Sequence, residues 1–120
     1  MRNVYNIKNL INLKLYIIIR DKMDITKNYN EKELTVSVKN KIDTVTAPDF
    51  ENEIMDEMGN FDSLIIDFTD LEYISSAGLR VLVKVEKALK PQGISCIIKV
   101  NDTIKEILTI SGFDNFLNIQ

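Results

Sequence analysis

The sequence predicts a mixed α/β fold, with elements in the order ββαβαβα and a short final strand. Three observations predict it. Leu34–Val38 alternates apolar and polar residues, the period of a strand with one buried face. Ser63–Phe68 and Ile94–Val100 are short, nearly continuous apolar runs, as expected of strands buried on both faces. Between and after these runs lie three stretches with apolar residues at spacings of three and four, the stripe of a helix on a core. Strands that alternate with helices imply right-handed crossovers and a largely parallel sheet. With 120 residues there is room for one such core.

The elements follow in order. Residues 25–29 and 33–39 form a predicted hairpin, with turn chemistry from Asn28, Asn30, Glu31 and Lys32. This antiparallel start makes the sheet mixed. Thr46 is placed to cap the first helix, with Ala47 and Pro48 in its first turn and Asp49 near its positive end. Phe50, Ile54, Met55 and Met58 make the apolar stripe, and Gly59 ends the helix. The central strand is 63–68. A second helix covers about 77–89, with Leu79, Leu82, Val83, Val85 and Leu89 apolar, and is stopped by Pro91 and Gly93. The strand at 94–100 follows. Asn101 or Asp102 then caps a third helix, closed by Gly112.

Composition removes several kinds of chemistry. There is no histidine and one cysteine. Serine–histidine and cysteine–histidine catalysis therefore lack their base, and a structural zinc site lacks ligands. Cys96 lies in an apolar strand run and reads as a buried thiol. Residues 1–22 carry Arg2, Lys8, Lys14, Arg20 and Lys22 against Asp21, a net +4, so the overall charge of −3 leaves −7 for the remainder. An acidic body excludes nucleic acid as the expected partner. The apolar stretch Leu10–Ile19 is too short to span a bilayer, so no membrane insertion is expected. Residues 1–22 read as an N-terminal extension, either upstream of a true start at Met23 or loosely attached, with the domain over 23–120.

Loops at the carboxyl ends of strands are where such folds place function. One loop runs from Ile42 through Asp43, Thr44, Val45, Thr46 and Ala47 to Pro48. The other follows the central strand and ends in Ser75, Ser76, Ala77, Gly78, Leu79 and Arg80. A serine before a helix is ordinarily a cap, but two are present and one suffices. Gly78 in a helical first turn costs about 1 kcal/mol relative to alanine, which implies a close approach there. Asp67 and Asp70 read as turn residues, not as an acidic metal pocket of the receiver type. No phosphate-binding glycine loop is present, and no cofactor is expected.

The stretch Leu64–Phe68, followed by Tyr73-Ile74-Ser75-Ser76-Ala77-Gly78-Leu79-Arg80, resembles the signature of the STAS family, the bacterial anti-sigma factor antagonists. Ile42–Pro48 and Asn101–Phe113 fit as well. The resemblance implies a STAS-like mixed β-sheet with helices packed on one side and no enzymatic activity. It implies a cytoplasmic protein that binds an anti-sigma factor of the serine-kinase type. That kinase would phosphorylate Ser76, and a PP2C-type phosphatase would restore it. The implied partner surface is Asp43, Thr44, Thr46 and Ala47 with Ser75, Ser76, Ala77, Gly78, Leu79 and Arg80. Ser75 stands where many members have aspartate. A weak homodimer is compatible with this reading. The alternative within the family is a non-switching scaffold or accessory subunit, of a stressosome or a transporter.

Overall fold

The computed structural model describes residues 23–120; the expectations for residues 1–22 lie outside them. The strands are β1 (Met23–Asn30), β2 (Glu33–Ile42), β3 (Ser63–Phe68), β4 (Leu71–Ile74) and β5 (Ser95–Val100). The helices are α1 (Ala47–Met55), α2 (Ser76–Leu89) and α3 (Asp102–Ile110). The hairpin forms as expected, with Asn30 opposite Glu33 across a two-residue turn. The sheet order is β1-β2-β3-β5, with β3 parallel to β2 and β5 parallel to β3. The short final strand is a single bridge between Ile119 and Ile98.

The sequence pattern predicts a loop between the central strand and the second helix; the structure corrects this, with strand β4 inside that stretch. It pairs in parallel with the far end of β2. β3 and β4 thus share one side of β2: Glu33–Ser37 ladder with β3, and Asn40–Ile42 with β4. The register shifts between Asn40 and Lys41, and Asn40 takes a φ of 70°, a conformation asparagine enters more readily than most residues. Asn101 secures the break from the other side. Its Nδ2 donates to the carbonyls of Phe68 (3.3 Å), Thr69 (3.0 Å) and Leu71 (2.8 Å). Its Oδ1 accepts from the Ile104 N–H (2.8 Å) and so caps α3, as the sequence predicts.

Burial along the strands alternates. Leu34, Val36, Val38, Leu64, Ile66, Phe68, Cys96 and Ile98 are buried, whereas Thr35, Ser37, Ile65, Asp67 and Ile97 are half-buried. The expectation of two buried faces for β3 and β5 is therefore corrected. Among the described residues the helices cover one face, and Ile65 and Ile97 lie on the other, shielded by neighbouring strands. On the covered face the core joins the strands to Phe50 and Ile54 of α1, Leu82 and Val85 of α2, and Ile104 and Leu108 of α3. Phe50 and Phe68 pack as a tilted aromatic pair, centroids 5.8 Å apart. Helix α1 is shorter than predicted: it ends at Met55, and turns carry the chain to Gly59 at a φ of 89°. β1 is tied to this corner. Lys27 Nζ meets Glu53 (2.9 Å) and Glu57 (2.8 Å), and the Tyr29 hydroxyl donates to Glu57 (2.6 Å).

Candidate functional site

The two loops singled out above meet at one rim of the sheet. Ile42 is in register with Ile74, and the next residue, Ser75, donates its N–H to the Ile42 carbonyl (2.8 Å). Asp43 leaves β2 beside this bond, and Ser76 opens α2 on its other side.

The first loop is built by a reciprocal cap. Asp43 Oδ1 accepts from the N–H groups of Val45 and Thr46 (3.0 Å each) and from the Thr46 hydroxyl (3.1 Å). Thr46 Oγ1 in turn accepts from the Asp43 N–H (2.9 Å). These bonds make a capping box around the turn that precedes α1. The expectation that Thr46 caps α1 is thereby corrected. Its side chain is fully buried and bonded to Asp43, and the turn begins three residues earlier, with the Ala47 N–H bonded to the Asp43 carbonyl. Thr44 and Val45 are exposed, while Thr46 and Ala47 are buried.

The second loop separates its two serines. Ser75 is the cap of α2: it is buried, and its Oγ accepts from the Gly78 N–H at 3.3 Å. Ser76, at the first helical position, is exposed. Gly78 is buried, and a Cβ there would lie 2.7 Å from Ile74 Cγ1 and 2.8 Å from Ile42 Cγ2. The close approach that its presence implies is made by the protein's own sheet. Leu79 is corrected as well. It is 4% exposed and belongs to the core, so it offers a partner no apolar area. Exposed apolar area near the rim comes from Val45 and Tyr73, at 61% and 47% exposure, neither singled out from sequence. Tyr73 was hidden because its strand was read as loop. Ala77 is half-buried and Arg80 exposed.

Beside the rim a groove of about 260 Å³ runs between α1 and α2. Pro48 and Glu51 line one wall, and Ala77, Arg80 and Lys84 the other. Lys84 is bound to Glu51 at 3.0 Å. Elsewhere, Asp67 Oδ1 accepts from the N–H and hydroxyl of Thr69 (3.0 and 2.8 Å), the turn role read from sequence. Burial pushes the Cys96 thiol up to about 12. Among the described residues no group of three acidic or cysteine side chains is placed to hold a metal ion, and no helix is long and apolar enough to cross a membrane.

The STAS domain family matches residues 22–120. The chain belongs to this family. A relative, BtrV of Bordetella bronchiseptica, carries the name of anti-sigma factor antagonist; it is 29% identical over 93 residues, covering 76% of this chain and 80% of BtrV. The fold matches the crystal structure of an anti-sigma factor antagonist from Mycobacterium paratuberculosis with a TM-score of 0.75 and 23% identity, over 82% of this chain and 86% of that one. It matches the phosphorylated form of SpoIIAA, a Bacillus cell fate determinant, with a TM-score of 0.64 and 13% identity, over 80% and 90%. The mixed sheet and the helix order are those of the STAS fold.

Proposed function

We propose that this STAS domain is an anti-sigma factor antagonist, switched off when a kinase-type anti-sigma factor phosphorylates Ser76. One observation carries the reading. Of the two adjacent serines, Ser75 is buried with its Oγ engaged in the cap, whereas Ser76 is exposed at the first helical position. A kinase can reach the second hydroxyl without opening the helix. The name of BtrV and that of SpoIIAA, whose unphosphorylated structure is described as an anti-sigma factor antagonist, support the antagonist role, and the phosphorylated SpoIIAA structure supports the compatibility of this fold with a phosphate. The partner surface in this reading is the exposed part of the rim: Thr44, Val45, Ser76 and Arg80, held in place by the part-buried Asp43–Thr46 cap and the buried Ser75–Gly78 cap. The reading places the chain in the cytoplasm, where its partners act, and makes residues 23–120 the functional unit. A PP2C-type phosphatase would reverse the modification.

The switch works on binding and leaves folding intact. A phosphate adds about −1.5 to −2 charge at neutral pH, and the positive end of a helix tolerates it. A partner surface shaped for a hydroxyl must desolvate that charge, which costs several kcal/mol unless a cation meets it. Incubation with ATP and an anti-sigma kinase from the same genome, followed by mass spectrometry, tests the assignment. Phosphate is expected on Ser76, lost in Ser76→Ala and kept in Ser75→Ala. Phosphorylation should raise the Kd for that kinase about a hundredfold, some 2.7 kcal/mol, with Tm nearly unchanged. Phosphate appearing on Ser75 of the Ser76→Ala protein at the wild-type rate would refute the assignment.

A further inference from the structure

The α2 face that carries Ser76 carries a second feature that the switch does not use. Arg80 is exposed one helical turn after Ser76, and the ion pairs of the described residues engage Lys27 and Lys84 and leave Arg80 without one. Lys84, one turn further, is already held by Glu51 across the groove. Taking Ser76 as the modified residue, we propose that Arg80 is the built-in counter-ion of its phosphate, and that modification draws this guanidinium out of the α1–α2 groove.

The geometry follows from the helix. Residues four apart stand on one face with Cβ atoms roughly 6 Å apart. Helical side chains lean toward the N-terminus, so the long Arg80 side chain is within reach of the turn that holds Ser76. An anion four residues before a cation is also the favourable order on a helix. A guanidinium presents paired N–H donors that fit two phosphate oxygens, which an ammonium does not. Lys84 is two turns from Ser76 and on the far side of its bond to Glu51, so it competes poorly. In the unmodified protein Arg80 lines the groove next to Pro48 and Glu51. Phosphorylation then alters two patches at once: an anion appears at the rim, and a cation leaves the groove. A partner that places a carboxylate against Arg80 loses that contact in the same event.

The test uses the full chain with phosphoserine installed at position 76 during translation, titrated by phosphorus-31 NMR. The second ionisation of the phosphate, near pH 6 in isolation, is the readout. The midpoint should lie roughly 0.2–0.4 unit lower in the Arg80-containing protein than in Arg80→Gln, the size an exposed pair one turn apart gives. Lys84→Gln should keep the lower midpoint, and about 1 M salt should erase the difference. Equal midpoints with and without Arg80 overturn the proposal, as does an upward shift in Lys84→Gln as large as that in Arg80→Gln. Because the phosphoserine is installed without a kinase, the two readings fail separately. Equal midpoints alongside kinase phosphate mapped to Ser76 overturn only the counter-ion. A lowered midpoint alongside a kinase reaction that spares Ser76 supports the pair and overturns the switch.

Discussion

Gly78 and Asn101 show how single residues hold the rim. Alanine at 78 would improve helix propensity by about 1 kcal/mol, yet its Cβ would press on Ile74 and Ile42 at distances real Cβ atoms avoid. Overpacking of this kind costs about 1–3 kcal/mol, so Gly78→Ala should lower the urea midpoint and leave the slope unchanged. A more stable Gly78→Ala protein would mean that the sheet gives way easily. Asn101 offers a sharper comparison. Asparagine and aspartate cap helices about equally well, so a residue that only capped α3 would tolerate Asn101→Asp. Here the change removes the amide that donates to three carbonyls and sets a carboxylate oxygen against them. A loss of about 1–3 kcal/mol is expected in chemical denaturation, larger than for a cap alone. The cap at Asn101 was legible because capping is local in sequence; its second role, reaching back to residues 68–71, was not. Gly78 was legible as a close approach, but a glycine does not reveal what approaches. Leu79 could have been placed correctly, since it shares a helical face with Leu82 and Leu89.

At the scale of elements, long periodic segments read well and short ones did not. α2 and α3 stand where their apolar stripes put them, because a stripe over three turns has few other solutions. β4 has four residues, with burial at Leu71 and Ile74 and exposure between, so it shows no strand alternation. Only its partnership with the bulged end of β2 makes it a strand. Asp43–Thr46 was read as a helix cap at Thr46, although the Asp-x-x-Thr spacing is itself that of a capping box. The tie between β1 and the corner after α1 yields a pH prediction. Hydrogen bonds from Lys27 and Tyr29 hold the Glu57 carboxyl below its ordinary 4.5. A carboxyl depressed in the folded state contributes stability above its unfolded value, and that contribution disappears as pH falls through the folded value. Lys27→Met should therefore remove part of the stability lost below pH 4.5 and flatten the acid limb of a urea-denaturation series. An acid limb identical to that of wild type would detach the bridge from stability.

For the whole molecule, Cys96 is a natural reporter. It is buried on β5, and burial raises its thiol to about 12, so the folded chain holds little thiolate at neutral pH. Alkylation should run on the order of a thousandfold slower than for a free thiol and should track global unfolding across a urea series. Fast labelling without loss of structure would show that β5 opens by itself. The fold class was legible because the order of patterns admits few right-handed parallel arrangements. The covering of one face by helices came from the family resemblance and not from the strand patterns, because an apolar run looks alike whether one face or both are packed. The hydrogen bond from Ser75 to Ile42 has a consequence for synthesis as well. Residues 43–46 leave the ribosome about thirty residues ahead of Ser75, at the elongation pace of several residues per second. Until β4 arrives, the end of β2 has no neighbour on that side, and the rim does not exist. A chain still in synthesis therefore does not present the surface proposed above for a partner, and only completed copies carry it.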